Sequence, residues 1–91
     1  MREEELIRFV GVPVDAVIMN YRMVIRGVID KVENGYVRFS SIEDLFVLVH
    51  GRRLSIRLML AGSFMELEEL LQRVLIPCNL FESCRERKLK A

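Results

Sequence analysis

The sequence predicts a mainly β domain: an N-terminal helix, five short strands closed into a strongly bent small barrel, and a C-terminal amphipathic helix. Three observations carry this. Asn34-Gly35 lies between two apolar runs, where both residues tolerate φ > 0 and set a tight hairpin. Residues 53–60 alternate apolar and polar side chains, the period of a strand with one buried face. Residues 64–75 place Phe64, Leu67, Leu70, Leu71, Val74 and Leu75 at helical spacing.

In chain order, residues 2–10 read as a short helix with Leu6, Ile7 and Val10 on one face. Glu3, Glu4 and Glu5 occupy its first turn, where the helix dipole favours anions, and Gly11 and Pro13 end it. Residues 14–19 form a strand, Asn20-Tyr21-Arg22 a turn, and 23–32 a longer strand with apolar residues on both faces. Gly27 in its middle marks a bend or bulge, the way a strand turns a corner in a small barrel. Strand 36–39 follows, then a polar link over 40–44, then strand 45–50, apolar enough to be covered on both sides. In strand 53–60, Leu54, Ile56, Leu58 and Leu60 face inward. Ser63 and Glu66 have the spacing of a capping box, and Pro77 stops the helix. Residues 78–91, with Arg85, Arg87, Lys88 and Lys90, read as a basic tail. The expected organisation is helix plus barrel over 1–62, a helix over 63–77 packed on the barrel or a neighbouring subunit, and a tail over 78–91. Strands this short make too small a sheet to stand open, and closure removes its exposed edges.

Ninety-one residues correspond to one domain with a small core. Yet 52% of residues are apolar and the mean hydropathy is +0.24. That exceeds the roughly 45–50% of typical soluble domains, a count that includes glycine. The surplus predicts burial between subunits or against a partner. No apolar run approaches the roughly 20 residues of a membrane helix, and the N-terminus holds three glutamates rather than a signal core. A cytoplasmic protein with no membrane partner is expected. The net charge of +1 makes no general electrostatic case for nucleic acid, so any such binding must be local and multiplied by assembly. Cys78, Cys84 and one histidine do not make a zinc set, and the thiols are expected to be free. With no nucleophile–base pair, phosphate-binding glycine loop or metal cluster, neither catalysis nor a cofactor is expected.

Two stretches carry the functional expectation. Phe46 to Ile56 runs from an apolar strand through His50-Gly51-Arg52-Arg53 into a second strand. It reads as an ordinary hairpin or as a ligand-facing loop. Asn34 reads as a turn residue and Tyr36 as cross-strand packing. Together, Gly27-Val28-Ile29-Asp30-Lys31-Val32-Glu33-Asn34-Gly35-Tyr36-Val37 and Val47-Leu48-Val49-His50-Gly51-Arg52-Arg53-Leu54-Ser55-Ile56 resemble the two motifs of the Sm-like (LSm) family, which includes the bacterial Hfq proteins. His50 replaces the family's usual Arg, Glu33 replaces its usual Asp, and the first loop is short. The resemblance implies a homo-oligomeric ring, a hexamer or heptamer, in which the fourth strand of one subunit pairs with the fifth of the next. It also implies single-stranded RNA, often U-rich, held by two pore loops. Asn34 would then hydrogen-bond a base, and Tyr36 or a neighbour would stack on it. The His50-Gly51 loop would close the pocket, with Arg52 and Arg53 supplying charge. The alternative is a small-barrel interaction or scaffold module with no RNA role, engaging a protein partner through its C-terminal helix.

Overall fold

In the computed structural model, residues 1–88 are described; Lys90 of the expected basic tail lies outside them. Two turns set the register of the sheet. Asn34 and Gly35 have φ of 54° and 79°, and His50 and Gly51 have 49° and 76°. Positive φ at both central residues is the type I′ hairpin geometry, which matches the right-handed twist of the flanking strands. Glu33 accordingly faces Tyr36, and Val49 faces Arg52. Between these turns run β2 (Met23–Glu33) and β3 (Tyr36–Val49), the longest ladder in the molecule. β1 (Pro13–Ile18) flanks β2, and β4 (Arg52–Ser55) flanks the far half of β3. A short β5 (Ile76–Pro77) pairs with the start of β3, and β6 (Phe81–Glu86) pairs with β1. The sheet is antiparallel throughout, ordered β4-β3-β2-β1-β6 with β5 on the side of β3. The segment 76–86 thus touches both sides of the β3-β2-β1 unit through a 3₁₀ turn at Cys78–Leu80. No ladder joins β5 to β6, so the sheet is not closed by a continuous set of strand pairs.

Gly27 is the corner of the sheet. A Cβ there would lie 2.2 Å from the Ser41 carbonyl oxygen, and the register slips beside it, from Arg26↔Asp44 to Gly27↔Ile42. The expected bend is a bulge. The polar link expected over 40–44 does not interrupt the strand. Phe39, Ile42 and Leu45 are buried with Ser40 and Ser41 exposed between the first two, so alternation breaks where the register against β2 shifts, yet the segment stays paired with β2 and joins the two halves of β3.

Several expectations are corrected toward the C-terminus. The strand expected over 53–60 ends at Ser55, whose Oγ accepts the Leu58 N–H at 3.1 Å and starts helix α2 (Ile56–Leu60). Asp44 secures that start by accepting the Arg57 N–H and the Ser55 hydroxyl. Leu58 is consequently 84% exposed instead of facing inward. Helix α3 covers only Phe64–Gln72, and Ser63 does not cap it. Its φ and ψ of −76° and −8° are helical, whereas an N-cap takes an extended backbone. Pro77 lies in β5 and is not the stop of α3. The expected basic tail contributes a strand: Arg85 stands opposite Asp15 and Arg87 bonds Glu43, so these charges lie on the sheet.

The core lies between helix α1 (Glu3–Leu6) and the concave side of the sheet. Phe39 of β3 and Phe81 of β6 stack there, ring centroids 6.4 Å apart, with Leu6, Val14, Ile25 and Ile42 fully buried around them. Phe64 closes the core from α3, helped by the partly buried Leu67 and Leu71. Leu70, Val74 and Leu75, expected in the same apolar stripe, are exposed.

Candidate nucleic-acid interface

The ladder puts Lys31 opposite Arg38 and Glu33 opposite Tyr36. Alternate residues on a strand share a face, so these four side chains form one patch at the end of the β2–β3 hairpin. With Asn34 in the turn and Leu75 as a wall, they line an open cavity of about 290 Å³. The turn is held from two sides. The Gly35 N–H donates to Glu3 Oε1 at 2.8 Å, and the Gly35 carbonyl accepts the Cys78 N–H at 2.8 Å. Asp30 holds Arg38 through its Nε at 3.1 Å. Among the described residues, Lys31 and Glu33 form no ion pair. Tyr36 is 45% exposed. The pocket therefore presents an aromatic face, an amide, a carboxylate and an ammonium, the groups that read a nucleobase by stacking and edge hydrogen bonds.

Asn34 and Tyr36 are thus brought together as expected, but the other expected residues are not. His50 and Gly51 cap the opposite end of β3, since Glu33 pairs with Tyr36 at one end and Met23 with Val47 at the other. Arg52 beside them is exposed, and Arg53 belongs to a separate network on the convex side of the sheet. There Asp15 takes two bonds from Arg26, at 2.9 and 3.1 Å, and lies 3.8 Å from Arg53. Both guanidiniums lie over the Phe46 ring, at 4.9 and 5.7 Å from its centroid. Burial alone would raise the Asp15 carboxyl. The Arg26 hydrogen bonds and the charges of Arg26, Arg87 and Arg53 outweigh it and hold the carboxyl below its ordinary value. This cluster fastens β1, β2, β3 and β4 to one another.

The segment that meets the Asn34-Gly35 turn is Pro77–Asn79, through the Cys78 N–H. Neither this segment nor Lys31, Arg38 and Leu75 was among the expected site residues. Lys31 and Arg38 were readable as the next same-face pair beyond Glu33 and Tyr36. The 77–79 turn was readable as a break between apolar Val74-Leu75-Ile76 and Leu80-Phe81. Burial pushes both thiols up, Cys84 to about 11 with a contribution from the Asp15 charge, so neither is a ready nucleophile. Among the described residues there is no cluster of His, Cys, Asp and Glu that could hold a metal, and no helix long and apolar enough to cross a membrane. No protein-family model matches the chain, and no curated protein or solved structure matches it significantly.

Proposed function

We propose that this chain is an Sm-like small-barrel protein that self-associates and binds single-stranded RNA, one base lodging between Asn34 and Tyr36. The observation that carries this is the shared pocket: the two residues assigned to base binding by the first motif line one cavity with Lys31 and Arg38. A second observation supports it. The family places a second loop beside the first, between an apolar strand and its successor. Pro77-Cys78-Asn79 has that setting here, with Pro-Cys where the family has Arg-Gly, and it bonds the Asn34-Gly35 turn directly. On this basis the second motif is 74–84, and 43–73 is an insertion carrying β4, α2 and α3. β5 on β3 and β6 on β1 would then be the two sides of the small barrel. The His50-Gly51 loop has no part in the site.

Fluorescence anisotropy with a labelled hexauridine tests this. Binding is expected to weaken with salt and to drop about tenfold in Tyr36→Ala, in line with the ~1–3 kcal/mol of a base stacked on an aromatic ring. His50→Ala is expected to bind as wild type.

The interaction-module alternative rests on a different observation. Eight of the fifteen exposed large apolar side chains fall between Leu54 and Leu75. That surface is where self-association is proposed to occur, and it would serve equally in a module with no RNA role. A pure protein whose 260/280 nm absorbance ratio and anisotropy titrations show no RNA favours that alternative.

A further inference from the structure

We propose that the pocket prefers guanine over uracil, with Glu33 as the residue that sets the preference; this rests on the pocket being an RNA site. Glu33 is the direct cross-strand partner of Tyr36, and Lys31 lies two residues earlier on the same face of β2. A base stacked on Tyr36 therefore presents its edge to a carboxylate flanked by an ammonium. Arg38, the other cation in the pocket, is occupied by Asp30.

A carboxylate only accepts, and its two oxygens match two donors side by side. Guanine is the common base with that edge: N1–H and the N2 amine are adjacent, and O6 beside them is an acceptor for the Lys31 ammonium. Uracil offers one N–H between two carbonyl oxygens, so one Glu33 oxygen would face a carbonyl oxygen. Adenine and cytosine each present one amine next to a bare ring nitrogen, which leaves the second carboxylate oxygen without a donor. Guanine's two rings also cover more of the Tyr36 face than uracil's one.

The experiment is an anisotropy series with hexauridine and with the same oligonucleotide carrying one guanosine, inosine or adenosine. It is run on the full chain and on Glu33→Gln, with circular dichroism melts to establish that the variant is folded. The guanosine oligonucleotide is expected to bind wild type about tenfold more tightly than hexauridine, the scale of one bidentate base contact. Inosine, which keeps N1–H and O6 but lacks the N2 amine, is expected to fall between the two. Glu33→Gln is expected to lower the guanosine-to-hexauridine affinity ratio well below that of wild type, whatever its effect on hexauridine itself, because an amide offers only one acceptor. Hexauridine binding as tightly as the guanosine oligonucleotide would overturn the inference and leave the RNA site standing. So would a guanine preference undiminished in Glu33→Gln. Wild type that binds none of the oligonucleotides would overturn the RNA site and the guanine preference together.

Discussion

Asp15 shows how one side chain couples the convex side of the sheet to pH. Its side chain is 12% exposed and bonds Arg26 at two points. A carboxyl held below its ordinary value of 3.8 in the folded chain stabilises the fold above that value and loses the contribution as pH falls through the lower folded value. Asp15→Asn is expected to cost about 1.5–3 kcal/mol near neutral pH, the range for hydrogen bonds to charged groups. Urea titrations at several pH values check the sign: the gap between wild type and Asp15→Asn should hold constant above about pH 5 and shrink in stronger acid. A gap that widens in acid contradicts the assignment. At the same scale, the local chemistry of Asn34 and Gly35 was fully legible. Asn-Gly tolerates left-handed backbone, and that is the conformation found. The partners that hold the turn, Glu3 and Cys78, were not legible, because they come from the two ends of the chain.

Among the elements, the β2–β3 ladder depends on a missing Cβ. Gly27→Ala would drive a methyl group against backbone at 2.2 Å, which no rotamer change relieves. The expected cost is about 2–3 kcal/mol, the upper part of the overpacking range, seen as a lower urea midpoint with an unchanged slope. An unchanged midpoint contradicts the bulge geometry. This corner was readable from a glycine inside an apolar run. The fate of 53–60 was not. Leu54, Ile56, Leu58 and Leu60 alternate like a strand, but a two-residue period says nothing about whether a sheet is available to cover it. Ser55 and Asp44 instead supply the bonds that begin a helix. The loop at Ala61 bears the strain of that change, with φ of 48° and ψ of −122°, a backbone region suited to glycine. β6 was hidden for the opposite reason: its charges read as solvated, whereas Arg85 and Arg87 lie on the sheet's polar side and Phe81 packs in the core.

The whole molecule combines a small, well-filled core with an apolar surface along α2 and α3. About half of the exposed large apolar side chains lie between Leu54 and Leu75, and Leu75 at the end of that stretch also walls the pocket. The double substitution Leu58→Glu with Met59→Glu, at side chains 84% and 68% exposed, is expected to reduce the molar mass measured by light scattering while leaving the fold intact. Equal masses for wild type and variant would contradict self-association through this face. Which turns would meet was only half legible at this scale. The first motif named two residues, Asn34 and Tyr36, that line one cavity, while the second was sought at the His50 hairpin, at the other end of β3, because Gly follows an apolar strand there. The strand continues too far: fourteen residues of β3 separate the two turns.

The most direct measurement is the anisotropy titration of labelled single-stranded RNA against wild type, Tyr36→Ala and His50→Ala. A base pocket at the Asn34 turn predicts salt-sensitive binding by wild type, about tenfold weaker binding by Tyr36→Ala and no change in His50→Ala. Absence of binding by wild type, or a loss in His50→Ala with none in Tyr36→Ala, would contradict it.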